Sequence, residues 1–123
     1  MQFSIKSVLF CLLIYCGLLY SGGKNMIDNI KWLGHSSVRI EKEGRYMYID
    51  PWKLKDFSKK ADVVLITHSH NDHCSPEDIA LLLKEGTVVI GPSDALQKIR
   101  RGDKKTLLPG GNLDMGWVTI KGT

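Results

Sequence analysis

From residue 29 onward, short apolar runs alternate with turn-forming residues, and the period of that alternation changes along the chain. Residues 29–33 and 37–41 predict extended segments, with Gly34-His35-Ser36 between them. Glu43-Gly44 predicts a turn. Residues 45–49 then return as a strand that places Tyr46 and Tyr48 on one face and Met47 and Ile49 on the other. Asp50-Pro51 ends that strand, and a polar, lysine-rich connection runs over residues 53–60. Residues 63–67 differ in kind: their branched apolar run is unbroken, as in a strand buried on both faces.

Helical spacing begins at Ser75-Pro76-Glu77-Asp78, where Ser75 suits a cap, Pro76 the first turn and Asp78 a variant of the capping box. Ile79, Leu82 and Leu83 continue the spacing, and Gly86 predicts the stop. Residues 87–90 predict the next strand. Ser93 predicts the cap of a second helix, which carries Leu96 and Ile99 and ends by Gly102. Leu107-Leu108, Pro109-Gly110-Gly111 and residues 117–120 add β-hairpin character. Hairpin strands followed by strand-helix-strand-helix make an α/β layered pattern, with no internal repeat or low-complexity tract. A fresh strand at residues 117–120, so close to Thr123, suggests a sequence cut short.

Before this domain lies an uncharged apolar run at residues 8–20, preceded by Lys6. It resembles a secretory signal and falls short of the ~20 apolar residues that a membrane span needs. The expected division is therefore a signal peptide or membrane anchor over residues 1–23 and a folded domain over residues 26–123. Ser21-Gly22-Gly23 offers small residues for cleavage, whereas Tyr20 and the lack of alanine oppose it. Export, or membrane contact through residues 8–20, stands beside a cytoplasmic product starting at Met26.

A length of 123 residues and an apolar fraction of 43% fit one globular domain. Cys11 and Cys16 lie in the leader and Cys74 stands alone, so neither a disulfide framework nor a thiolate zinc finger is supported. Cys74 follows His73 and could approach a metal, but a lone thiol is more often a packing residue. The net charge of +4 is concentrated locally: Lys98, Arg100, Arg101, Lys104 and Lys105 gather in eight residues, opposed by Asp103. Such a patch could attract a phosphorylated or polyanionic substrate, although a solvated helix end and loop explains it more simply. No aromatic residues interleave there, which weighs against single-stranded nucleic acid.

The densest chemistry is Thr67-His68-Ser69-His70-Asn71-Asp72-His73, which puts three imidazoles and a carboxylate within six residues. These are donor types that zinc favours. At the end of an extended strand, His68 and His70 project to the same side, and the chain then turns through Asn71 to bring Asp72 and His73 around. The pairs His68/His70 and Asp72/His73 can thus serve two adjacent metals, with a shared water of lowered pKa. Asp72 can also orient that water or take its proton, as a catalytic residue. A closed structural zinc site and a coincidental polar loop are the competing readings.

His-x-His-x-Asp-His after a buried strand resembles the signature of the metallo-β-lactamase superfamily. Together with Trp32-Leu33-Gly34-His35-Ser36-Ser37, Ile49-Asp50-Pro51-Trp52 and Cys74-Ser75-Pro76-Glu77-Asp78, it is similar to the ascorbate-6-phosphate-lactonase-like branch over residues 26–123. The resemblance implies an α/β fold, the amino-terminal half of an αβ/βα sandwich. It implies that His68 and His70 bind one metal and Asp72 and His73 a second, with Asp50 beneath the site holding a ligating histidine. His35 would lie on a loop near the site. The expected cofactor is zinc, two ions per complete domain, with manganese as the alternative. The family's second half supplies another histidine and a bridging aspartate, and this chain has no histidine after His73. One sheet face is therefore expected to lack its covering layer.

The expected activity is metal-dependent hydrolysis of a small molecule, anionic in one version, through a lactone, ester or phosphoester. The alternatives are a metal-dependent nuclease of the same superfamily and a non-catalytic metal-binding remnant.

Overall fold

The computed structural model describes residues 2–5 and 29–123. The chain order is β1 (Gln2–Ile5), β2 (Ile30–Gly34), β3 (Ser37–Lys42), β4 (Arg45–Ile49), β5 (Val63–Leu65), α1 (Pro76–Leu82), β6 (Val88–Gly91), α2 (Ser93–Gln97), β7 (Asp103–Thr106), β8 (Asn112–Asp114) and β9 (Thr119–Gly122). Six strands form one sheet in sequential order from β2 to β7, and β1, β9 and β8 form a second. The first three strands of the larger sheet pair antiparallel, whereas β4 to β7 pair parallel. This is a mixed α/β fold.

Strand alternation divides the core in two. Tyr48, Val64 and Val89 face α1 and α2, where they meet Ile79, Leu82, Ala95, Leu96 and Ile99. Met47, Val63, Leu65 and Ile90 point to the other face and meet Trp117, Val118 and Ile120. The β8–β9 hairpin thus carries apolar side chains onto the face that was expected to be bare. Lys42 Nζ ties the two sheets by donating to the Trp117 carbonyl at 3.1 Å.

Several expectations shift in detail. The strand expected over residues 63–67 ends at Leu65. Ile66 N–H still donates to Ile90 at 2.8 Å, but Thr67 N–H turns to the Asp50 side chain. Gly91 permits that close approach, since a Cβ there would lie 2.9 Å from the Ile66 carbonyl oxygen. Ser75 caps α1 as expected, while Asp78 accepts the Ser75 hydroxyl and the N–H groups of Lys53 and Leu54. The second helix ends at Gln97, short of Gly102, and Pro92 rather than Ser93 is its cap. Residues 103–106, within the expected basic loop, form β7 as an edge strand against β6. All four of its residues are exposed, so no apolar alternation announced it. Gln2–Ile5, inside the expected leader, pairs parallel with β9. Residues 8–20 and Met26 lie outside the described residues, and among the described residues no helix is long and apolar enough to cross a membrane.

If β9 is part of the core, Ile120→Ala should lower stability by about 2–5 kcal/mol, the usual cost of removing a fully buried aliphatic side chain. Leu108→Ala, at a side chain 63% exposed, should stay within about 0.5 kcal/mol. Urea unfolding of both variants measures the difference, and equal midpoints would detach the hairpin from the core.

Candidate metal centre

The site lies where β4 and β5, adjacent and parallel, run out of the sheet at their carboxyl ends. Asp50 follows β4 with φ 45° and is fully buried. A left-handed conformation costs a non-glycine residue energy, and here the surroundings impose it. Asp50 N–H donates to Leu65 at 2.9 Å, and the Ser37 hydroxyl donates to the Asp50 carbonyl at 2.7 Å. The buried carboxylate then collects three groups. Oδ1 accepts Thr67 N–H at 2.8 Å, and Oδ2 accepts the Thr67 hydroxyl at 2.6 Å and lies 2.7 Å from His73 Nδ1.

Asp50, which the resemblance implied would hold a ligating histidine, lies against the Nδ1 ring nitrogen of His73. The loop after β5 folds back on itself, with His73 and Cys74 N–H groups donating to the His70 carbonyl at 2.9 and 2.8 Å. That turn sets the His68 ring tilted against His73 at a centroid distance of 3.9 Å and edge-on to His70 at 4.8 Å. Asp72 Oδ2 lies 3.5 Å from His73 Nε2 and 3.5 Å from His35 Nε2. Ligand atoms of His35, Asp72 and His73 all fall within 4.8 Å of one another.

His35 thus comes closer to the cluster than a nearby loop position requires. It has φ 50° on the β2–β3 turn, its ring meets Trp52 edge-on at 4.9 Å, and its carbonyl accepts from Trp32 Nε1 at 2.9 Å. Trp52 and Thr67 are contributors that sequence reasoning left without a role. Thr67 was visible as the first letter of the motif, whereas nothing in the local pattern pointed Trp52 at His35.

The donor chemistry fits a divalent metal of the zinc type. His73 engages Asp50 through Nδ1, which leaves Nε2 facing Asp72. A carboxylate behind a ligating imidazole is the usual support for such a metal. His35 and Asp72 are half-exposed while His73 is largely covered, so the cluster opens to solvent on one side. Burial, reinforced by the neighbouring His73 ring, holds His68 below the ordinary histidine range. That favours the neutral imidazole that a metal requires.

Residues 29–123 match the family described as "Beta-lactamase superfamily domain". The chain belongs to that superfamily. It is 30% identical over 101 residues to a UPF0173 metal-dependent hydrolase of Carboxydothermus hydrogenoformans, a match covering 75% of this chain and 44% of the relative. Among solved structures, a metal-dependent hydrolase of Parabacteroides distasonis superposes with a TM-score of 0.62 at 29% identity, over 71% of this chain and 40% of that one. Igni18, a metallo hydrolase of Ignicoccus hospitalis, gives a TM-score of 0.55 at 27% identity, over 70% of this chain and 42% of that one. The chain spans less than half the length of these relatives.

Within this superfamily domain, Cys74 is a packing residue. It is fully buried and lies against Ala95, with Sγ 3.8 Å from the Ala95 carbonyl. Burial pushes its thiol pKa up, so thiolate is scarce near neutrality. With Cys11 and Cys16 replaced by serine, the folded protein should resist alkylation at pH 8 and react in full once denatured, as read by mass spectrometry. Removing Asp50 is expected to cost far more than removing Asp72. Asp50→Ala leaves the Thr67 and His73 donors unpaired, at about 1–3 kcal/mol for each buried group. Asp72→Ala, at a half-exposed side chain, should stay within about 0.5 kcal/mol in the same chemical denaturation.

Proposed function

We propose that this domain forms the amino-terminal half of the active site of a metal-dependent hydrolase. In this reading His68 and His70 hold one divalent ion, Asp72 and His73 hold a second, and His35 lines the pocket beside them. Zinc suits these nitrogen and oxygen donors, with manganese as the alternative. The observation that carries the reading is the grouping of His35, Asp72 and His73 donor atoms within 4.8 Å, with the His68 ring beside His73, the His70 ring beside His68, and the buried Asp50 carboxylate behind His73. The length of the relatives supports a further part of the same reading, in which remaining ligands and much of the substrate pocket come from a second half of the fold.

When bound, such a metal supplies Lewis-acid polarisation of the substrate and a water of lowered pKa. The chain's own residues do the rest. Asp50 orients His73 and holds the loop after β5, which limits the reorganisation that binding demands. Asp72, open to solvent and flanked by two imidazoles, has an oxygen available to orient the attacking water and accept its proton. Trp52 keeps the His35 ring upright at the mouth.

We assign the substrate as a small molecule with a lactone, ester or phosphoester bond, closest to the ascorbate-6-phosphate-lactonase-like branch. The basic segment around Lys98 supports an anionic substrate, because the Lys98 ammonium reaches the Ser69 carbonyl inside the metal loop.

The test combines metal uptake and turnover. Equilibrium dialysis of this chain should show zinc binding that His68→Ala and His73→Ala weaken at least tenfold. In a version as long as its relatives, chelation should abolish hydrolysis of lactone or phosphodiester substrates, and added zinc should restore it. Turnover indifferent to both chelator and His68→Ala would end the proposal.

A further inference from the structure

The buried Asp50 carboxylate touches more than His73. Its Oδ2 also accepts the Thr67 hydroxyl at 2.6 Å, and Thr67 Oγ1 in turn lies 3.0 Å from His68 Nδ1. We infer that Thr67 is a positioning residue for His68: its hydroxyl, anchored on Asp50, fixes the ring tautomer that leaves Nε2 of His68 free to bind a divalent cation.

Proton counting along this chain of contacts decides the direction of each bond. An ionised carboxylate only accepts, and a hydroxyl has one proton to donate. Thr67 donates through that proton to Asp50, so its Oγ1 faces His68 with lone pairs alone. The bond at 3.0 Å then requires His68 to donate from Nδ1, which in the neutral ring leaves Nε2 unprotonated. By the same count Nδ1 of His73 is the donor to Asp50. One carboxylate thus sets two rings, His73 directly and His68 through a hydroxyl.

An imidazole side chain free in water prefers its proton on Nε2, so this arrangement opposes the intrinsic preference of His68. The surroundings are rigid enough to impose it. Thr67 is gripped at two points, its N–H by Asp50 Oδ1 at 2.8 Å and its hydroxyl by Oδ2. A β-branched side chain has little χ1 freedom to escape that grip. The His70 and His73 rings flank His68 and limit its rotation. The relay matters for function because it rests on His68 being a metal ligand, the reading proposed above.

The experiment separates the two ideas. Long-range proton–nitrogen NMR of the metal-free, histidine-labelled chain, at a pH where the rings are neutral, reports which nitrogen of His68 carries the proton. The expected result is Nδ1–H in the wild type, a shift toward Nε2–H in Thr67→Val, and a return to Nδ1–H in Thr67→Ser. The backbone amide spectrum shows that each variant is folded; should Thr67→Val unfold, the wild-type and Thr67→Ser spectra decide. In dialysis, Thr67→Val should raise the zinc dissociation constant about 10–100-fold, the usual effect of losing a partner behind a ligand. Thr67→Ser should stay within about threefold of the wild type. A wild-type His68 protonated at Nε2, or a folded Thr67→Val with an unchanged tautomer, overturns the inference. Nδ1–H in a wild-type chain that takes up no zinc upholds the relay and overturns the metal reading instead.

Discussion

A buried carboxylate must be satisfied on every side or it destabilises the fold that buries it. Asp50 meets that requirement by drawing the backbone and hydroxyl of Thr67 and the ring of His73 onto its two oxygens. Its own backbone is pinned to Leu65 and Ser37. The ends of β3, β4 and β5 are therefore held together by the same residue that orients the imidazole cluster. Local strain at Asp50 and His35, both with positive φ, is sustained because these contacts over-determine the conformation.

The sheet supplies the rigidity behind this. The central strands β4, β5 and β6 are packed on both faces, with the helices on one side and the β8–β9 hairpin on the other. Parallel strands leave their carboxyl ends at a common edge, and in open α/β sheets ligands bind outside such ends. Here the loops after β4 and β5 emerge side by side and carry Asp50 and the histidine run. The turn between β2 and β3 adds His35 from the antiparallel part of the sheet. Three loops anchored at this sheet thus bring the His35, Asp72 and His73 donor atoms within 4.8 Å of one another.

Much of this was legible along the chain. The strands at β2 to β6 and the start of α1 followed from alternation, an unbroken branched run and a serine-proline cap. The spacing of His68, His70, Asp72 and His73 announced the donor chemistry, and its order after a buried strand resembled the superfamily the chain belongs to. β7 escaped notice because an exposed edge strand has no buried face to impose a period. The length of α2 was overestimated, since Ile99 packs against the core from beyond the helix end.

The linear order of residues was enough to determine which donors exist and that a turn after a buried strand would bring several together, because strand and turn geometry act over a few residues. Only the tertiary structure decided that His35 joins Asp72, that Trp52 braces it, and that Thr67 links Asp50 to His68. The pairs Asp50–Thr67 and His35–Asp72 span long stretches of chain. Their meeting depends on strand register and on a covered sheet, which no local pattern encodes.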